Sequence, residues 1–182
     1  IDLLYENGRY SLVALSNRVG LTHPSIKERI NRLVSNKIIK VQANVNLQKL
    51  NIIAEIIMAD IADPNDLKKA IEVLKRCPRV ISIALTSGDY NLVIYAISAN
   101  EKGIKAFVER NLRKLPSLRK LNIIPAEIIH PMYIPVRLLP AKECRELCES
   151  CIYRFQLNLC EGCIDIAKSM KGLKLKSVSY TH

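Results

Sequence analysis

Residues 80–99 read VISIALTSGDYNLVIYAISA, and this stretch decides the fold. Two apolar, β-prone runs flank Ser87-Gly88-Asp89, which is typical of a turn between antiparallel strands. Residues 66–77 before the pair and 103–115 after it space their apolar side chains three and four apart, as amphipathic helices do. The stretch therefore predicts a strand hairpin that stands between two helices in the chain.

Two further apolar runs lie outside these helices and complete the unit. Residues 51–62, NIIAEIIMADIA, and residues 118–134, LRKLNIIPAEIIHPMYI, predict strands. The order strand, helix, strand, strand, helix, strand is the βαββαβ unit of ferredoxin-like folds, an α+β class. Both helices of such a unit cover one face of its antiparallel sheet, so the other face, rich in Ile and Met, needs a cover. A second copy of the chain is the simplest cover, which predicts a homodimer or a higher oligomer.

Residues 1–50 predict a separate unit that is built from short helices. Ser11 can cap one helix that Gly20 ends, and Thr22 can cap the next. Residues 38–45 are β-prone and predict a strand pair, or wing, after the helices. Two helices joined by a short glycine-containing turn and followed by a wing are typical of a winged helix-turn-helix that binds DNA.

The second helix of this pair has one apolar and one polar face. If Ile26, Ile30 and Leu33 face the core, several polar side chains lie on or beside the exposed face. Such a face can place amide and guanidinium groups against base edges and basic groups against phosphates. The same periodicity also suits a plain three-helix bundle with a solvated charged face. The polar residues in question are His23, Ser25, Lys27, Glu28, Asn31 and Arg32.

The charge of the chain favours a polyanionic partner. The 182 residues carry 28 Lys and Arg against 17 Asp and Glu, a formal net charge of +11. Residues 1–50 alone hold eight basic and three acidic side chains. Nucleic acid or a membrane surface would suit this excess, although a generic basic surface would produce it too. The chain shows no signal peptide and no run that could span a bilayer, so we expect a cytoplasmic protein whose thiols stay reduced.

Five of the six cysteines fall within residues 144–163, with the spacing C-x₃-C-x₂-C-x₈-C-x₂-C. Two C-x₂-C pairs can each present two thiolates from a tight turn, and together they give tetrahedral coordination by four sulfurs, for which Zn²⁺ is the usual metal. A metal would also stabilise residues 138–182, because a segment of this size buries too little apolar surface to fold alone. The predicted ligands are Cys148, Cys151, Cys160 and Cys163, with Cys144 as a spare fifth thiol.

Other interpretations of the cysteines stay open. Thiolates also hold iron–sulfur clusters, so such a cluster is the alternative cofactor. The cysteines could instead bind a metal or redox signal. Disulfides are disfavoured by the odd count and the reducing compartment, and chance clustering is the remaining explanation.

Two sequence motifs within residues 1–136 resemble those of a known family. GRYSLVALSNRVGLTHPSIKERINRLVSNKII, residues 8–39, and TSGDYNLVIYAIS, residues 86–98, resemble the helix-turn-helix and the Gly-Asp-Tyr-Asp hairpin of the Lrp/AsnC (feast/famine) transcriptional regulators of bacteria and archaea. Thr22 stands where that family usually has Ser, Lys37 where it usually has Gly, and Asn91 where it usually has the final Asp.

The resemblance implies a domain plan and a function. It implies a winged helix-turn-helix domain over residues 1–45, an effector-binding and oligomerising βαββαβ domain over 46–137, and an added metal-binding extension over 138–182. The expected function is sequence-specific binding of double-stranded DNA in transcription regulation, with dimers formed through the sheet. Thr22 through Arg32 would form the recognition helix, which adds Thr22 and Arg29 to the DNA-contacting candidates.

The resemblance also implies an effector, often an amino acid, that binds near the hairpin. The residues that would contact it are Gly88, Asp89, Tyr90 and Asn91. The alternative is that the hairpin is only a tight turn that fixes strand register.

Two functional alternatives share this frame. One is a metal- or redox-sensing regulator whose C-terminal cysteines bind the signal. The other is an enzyme similar to the siroheme decarboxylases, which carry a His two residues before the Tyr-Asn pair of the hairpin. Gly88 occupies that position here, and the sequence contains no nucleophile–base pair at useful spacing, so we expect no enzyme and name no catalytic residue.

Overall fold

The computed structural model describes residues 1–136 and 149–158. The chain divides into two compact units between Ala43 and Asn44, and we call these unit 1 and unit 2. Four of the five clustered cysteines lie outside the described residues: Cys144, Cys148, Cys160 and Cys163.

Unit 1 contains three helices, α1 (Asp2–Glu6), α2 (Leu12–Val19) and α3 (His23–Ser35). The Oγ of Ser11 accepts a hydrogen bond from the Ala14 N–H at 3.1 Å, which confirms the predicted cap of α2. Gly20 ends α2 with a φ of 70°, a left-handed conformation that glycine adopts without steric cost. Thr22 is the N-cap of α3 as predicted, although its side chain makes no capping hydrogen bond.

The end of α3 is closed by a left-handed residue that is not glycine. Lys37 has a φ of 57°, and its N–H donates to the Val34 carbonyl at 3.0 Å. The next N–H, from Ile38, donates to the Leu33 carbonyl at 2.9 Å. This pair of bonds is the Schellman motif, whose left-handed position favours glycine because any Cβ is strained there.

Replacing Lys37 by Gly should therefore stabilise unit 1, by about 0.5–1 kcal/mol. The gain comes from relieved backbone strain, less the extra entropy that glycine gives the unfolded chain. Urea unfolding followed by circular dichroism measures it. Lys40→Gly is the matched control, because it removes the same charge at a residue whose φ is not positive. A Lys37→Gly protein no more stable than the parent would contradict this account.

The predicted wing is absent. Within residues 38–44 the backbone forms no strand, and the first strand, β1 (Val45–Asn46), pairs instead with β6 (Tyr133–Ile134), far along the chain. The prediction of a strand pair over residues 38–45 was wrong for a physical reason. A β-prone segment becomes a strand only where a second strand offers backbone partners, and residues 1–43 contain no such strand.

Unit 2 has the predicted βαββαβ order. Its elements are β2 (Ile53–Ile61), α4 (Pro64–Leu74), β3 (Val80–Leu85), β4 (Leu92–Ser98), α5 (Glu101–Asn111) and β5 (Leu118–Ala126). The four strands form one antiparallel sheet in the order β3-β4-β2-β5, which confirms the ferredoxin-like topology. A single 3₁₀ turn, Gln48–Leu50, precedes β2, and a short helix, α6 (Ile152–Phe155), lies in the second described range.

The two faces of the sheet differ in what they contact. One face packs against α4 and α5 around Ile57, Ile94, Leu74 and Phe107, which are all buried. The opposite face presents apolar side chains from three adjacent strands, and we call this set the open face. Its members pair across the strands as Ile56 with Tyr95, Met58 with Val93 and Ile56 with Ile124.

Candidate nucleic-acid interface and effector hairpin

Helix α3 is held in unit 1 by its apolar stripe. Ile26 is buried, and Ile30 and Leu33, one and two turns further on, are partly buried. Leu15 of α2 is buried in the same unit, where α2 and α3 pack together. These contacts orient α3 as the periodicity predicted, with its polar side directed away from the apolar core.

The predicted DNA-contacting residues form the polar side of α3. Most are exposed, while Ser25 is partly buried. Among the described residues, no ion pair or hydrogen bond engages the charged groups of Lys27, Arg29 or Arg32. The hydroxyl of Ser35 donates to the backbone carbonyl of Arg32, which leaves the guanidinium free. Their charges are therefore available to an external anion. The exposed members are Thr22, His23, Lys27, Glu28, Arg29, Asn31 and Arg32.

One further basic group lies on α2 and was not in the predicted set. The guanidinium of Arg18, in the last turn of α2, stacks over the Tyr10 ring at 4.7 Å from its centroid. Stacking fixes the orientation of a side chain that is otherwise exposed. The excess of basic residues in the first fifty was the available signal, but the charge count alone did not single out this residue.

The hairpin between β3 and β4 is an exposed, closely bonded turn. Gly88 has a φ of 120°, which residues with a side chain rarely adopt, so this position requires glycine. The Thr86 hydroxyl donates to the Tyr90 carbonyl at 2.7 Å, and the Thr86 N–H donates to the Asn91 carbonyl at 3.2 Å. Asp89 at the tip is exposed and meets the Lys120 ammonium at 3.3 Å.

Asn91, one of the four predicted effector residues, is engaged by the backbone of β2. Its Oδ1 accepts from the Ile61 N–H at 3.1 Å, and its Nδ2 donates to the Ile61 carbonyl at 2.8 Å. The Asn91 N–H donates to the Ala59 carbonyl at 3.0 Å. A carboxylate could accept from the Ile61 N–H but could not donate to its carbonyl, so Asn is the side chain that satisfies both groups. The side chain of Asn91 thus fixes the end of β2, while Gly88, Asp89 and Tyr90 shape the turn.

Only one predicted metal ligand lies in the described residues. Cys151 is a partly exposed free thiol at the N-cap of α6. Across residues 1–136 and 149–158, no group of three or more His, Cys, Asp or Glu side chains is placed to hold a metal ion. The four-cysteine site therefore stays a prediction.

Among the helices of residues 1–136 and 149–158, none combines the length and apolar composition that a bilayer crossing requires.

Comparison with protein families matches both units. The family described as "Winged helix-turn-helix DNA-binding" matches residues 1–40, and the family described as "Lrp/AsnC ligand binding domain" matches residues 55–126. These matches cover α1 to α3 and all of the βαββαβ unit except the first two residues of β2.

Similar proteins are regulators. The HTH-type transcriptional regulator FL11 of Pyrococcus furiosus is 30% identical over 112 residues, which are 60% of this chain and 73% of that protein. The uncharacterized HTH-type transcriptional regulator PH0140 of Pyrococcus horikoshii is 25% identical over 120 residues, 65% of this chain and 76% of that protein. That these relatives are transcriptional regulators confirms the expectation that the chain is not an enzyme.

Solved structures share the fold. The transcriptional regulator NMB0573 of Neisseria meningitidis, in complex with L-Met, superposes with a TM-score of 0.61 at 20% identity, covering 78% of this chain and 92% of that one. E. coli AsnC superposes with a TM-score of 0.59 at 16% identity, covering 69% of this chain and 85% of that one.

Proposed function

This chain belongs to the Lrp/AsnC family of DNA-binding transcriptional regulators, and from that premise we propose that it recognises specific duplex sequences with α3 as a dimer. The observation that carries the proposal is the polar side of α3, where basic side chains are exposed and free of acidic partners.

The residues of α3 divide into two roles. Lys27, Arg29 and Arg32 would neutralise phosphates, which supplies affinity and makes it dependent on salt. Asn31 and His23 carry groups that can hydrogen-bond base edges in the major groove, which supplies sequence preference. The remaining candidates, Thr22, Ser25 and Glu28, lie beside these and would set the local fit.

Selection from a pool of random duplexes tests sequence recognition. We expect repeated rounds with the full chain to enrich one motif with two-fold symmetry, since a symmetric dimer carries two recognition helices. Affinity for that motif should fall steeply as salt rises. If all sequences were retained equally, the sequence-specific role would be contradicted, and the protein would bind DNA without sequence preference.

The dimer in this proposal forms through the open face. Ile56, Met58, Val93 and Tyr95 are only partly buried in a single chain, and Ile124 is 38% exposed. An apolar patch that spans three strands is costly in water, and a second copy of the same patch can cover it with two-fold symmetry. Oligomerisation is typical of the family.

The proposed effector is a small molecule such as an amino acid, bound near the hairpin of unit 2. The family description of residues 55–126 names ligand binding, and the similar regulator NMB0573 was solved with L-Met. Gly88 and Asp89 are exposed at the turn, where Asp89 supplies one carboxylate, and Tyr90 beside them is partly buried. Asn91 would act indirectly, since its side chain is already committed to Ile61.

We further propose that Cys148, Cys151, Cys160 and Cys163 bind one Zn²⁺ that stabilises the C-terminal extension. The spacing of the four cysteines and the free, partly exposed thiol of Cys151 support this proposal. Cys144 would be a spare thiol. In the alternative, the same cysteines bind a metal or redox signal, and an iron–sulfur cluster is the other cofactor that such thiolates could hold.

Metal removal separates these alternatives. Protein purified without added metal should be colourless and contain about one zinc per chain, since four thiolates complete one tetrahedral site. Cys148→Ser should lower that content, whereas Cys77→Ser, outside the cluster, should not. A structural site predicts that chelation leaves DNA affinity unchanged, and a sensing site predicts that it changes. A brown colour would indicate an iron–sulfur cluster in place of zinc. Purified protein that contains no metal would contradict the proposed metal site.

A further inference from the structure

A cavity of about 810 Å³ opens beside the start of β2, between α5 and the segment that follows β5. Its walls are mostly apolar and include Ile53, Ile123 and Met132. Four charged side chains also line it: Glu55, Glu101, Lys105 and Glu127. Three carboxylates against one ammonium make the lining net acidic in a chain whose overall charge is +11.

Glu55 is the unusual member of this lining. It is only 7% exposed, and no described residue gives its carboxylate a hydrogen bond or an ion pair. Glu127, by contrast, accepts a hydrogen bond from Gln48 at 2.9 Å. Burial raises the pKa of Glu55 above its ordinary value, and the nearby charge of Glu101 raises this pKa further. Among the described residues no fully buried side-chain oxygen lacks a hydrogen bond, so the unbonded oxygens of Glu55 keep contact with solvent at the cavity wall. A carboxylate that a mostly apolar wall partly desolvates, and that has no protein partner, favours a cationic partner from outside.

We propose that this cavity binds a small aliphatic amine, with its ammonium group paired to Glu55 and its alkyl body against the apolar wall. The net acidic lining excludes an anion as the preferred ligand. A bare metal ion is disfavoured because, within the described residues, no three carboxylate, His or Cys side chains come together to coordinate one. An ammonium group needs fewer protein oxygens, since its hydrogens can donate to one carboxylate and to water.

The cavity is separate from the effector hairpin. Asn91 of the hairpin bonds to Ile61, the last residue of β2, whereas Glu55 stands near the first. Glu55 and Ile61 are six steps apart along the strand, which corresponds to about 20 Å. Amine binding at Glu55 would therefore be a second ligand site of unit 2, and it does not depend on DNA recognition by α3.

Calorimetric titration of the full chain with n-butylamine at pH 7.5 tests the proposal. We expect saturable binding of n-butylamine and none of n-butanol or butyrate, which match its length without its positive charge. Glu55→Gln should weaken the binding of n-butylamine by about tenfold or more, the loss expected for a hydrogen-bonded charge. Glu72→Gln is the matched control, because Glu72 is an exposed carboxylate on α4 that pairs with Lys75. The proposal would be overturned if n-butylamine and n-butanol bound equally well, or if n-butylamine did not bind at all. It would also be overturned if Glu55→Gln and Glu72→Gln bound n-butylamine equally well.

Stability in the absence of amine gives an independent readout. Because the folded-state pKa of Glu55 lies above 4.5, its ordinary value, the folded protein binds this proton more tightly than the unfolded chain does. The penalty of the buried charge is absent below pH 4.5, grows as pH rises through the folded pKa, and is complete above it. Glu55→Gln should therefore melt at a higher temperature than the parent at pH 7.5, with the difference shrinking towards pH 4. A variant that lost amine binding and also stability would indicate a merely structural carboxylate.

Discussion

Replacing Lys27 and Arg32 together by Ala should lower affinity for the selected operator by about tenfold to a hundredfold and flatten its salt dependence. Each basic group that contacts a phosphate contributes about one unit to the slope of log affinity against log salt, so the double variant should lose about two units. Both side chains are exposed on α3 and lack acidic partners among the described residues, so their removal leaves no buried charge behind. Gel shifts at several salt concentrations measure both quantities.

A charge-matched control decides whether position or net charge matters. Lys68 and Lys69 are exposed on α4 of unit 2, and replacing both by Ala lowers the net charge by the same two units. We expect this control to keep its affinity within a few-fold, because neither lysine belongs to the helix that is proposed to contact DNA. Equal losses in the two double variants would mean that the charge of +11 acts as a whole. No loss in either would remove α3 from the interface.

The parts of the fold that the sequence predicted correctly are those set by local chemistry. Ser11 caps α2, as its position before an apolar periodic run indicated. Asp63 caps α4 by the same local chemistry, since its carboxylate accepts from the N–H groups of Asn65 and Asp66. The hairpin at Gly88 followed from turn residues between two apolar runs. In each case the interacting residues lie within four positions of each other in the chain, so the local sequence is enough to indicate the feature.

Pairing between distant segments was the part that the sequence did not contain. The prediction of a wing was wrong because the β-prone residues have no strand partner nearby in the chain, and Val45 pairs with Ile134 instead. The role of Asn91 was missed for the same reason, since its partner Ile61 is thirty residues away. Local patterns cannot specify which of several apolar strands will lie next to a given residue.

Charged residues in or beside apolar strands are a further signal that the sequence carries. Glu55 interrupts the apolar run NIIAEIIMADIA at an inward strand position, and Arg79 lies just before the strand at Val80. In the structure Arg79 is 2% exposed and donates to the Ser98 hydroxyl. A charged residue on the inward side of a predicted strand indicates either a partner or a site, and only the folded structure distinguishes the two.

Met58→Glu should convert the proposed dimer to monomers and lower operator affinity by more than about a hundredfold. Met58 lies in the open face, opposite Val93, so a carboxylate there would be buried against its own copy in the dimer. Removing such a charge from water costs several kcal/mol, and each 1.4 kcal/mol is a factor of ten in the dimer constant. The monomer itself should fold, because this side chain is only partly buried in one chain. Analytical ultracentrifugation and gel shifts measure the two effects.

Val73→Glu is the matched control for the sheet substitution. Val73 is an apolar residue of α4 that is 50% exposed, on the helix side of the domain, so the same charge placed there leaves the open face intact. We expect this variant to remain dimeric and to bind the operator as the parent does. If Met58→Glu also stays dimeric, the chains associate through another surface. If it becomes monomeric yet keeps its affinity, one recognition helix suffices, and the two-fold symmetry expected of the operator has no basis in the dimer.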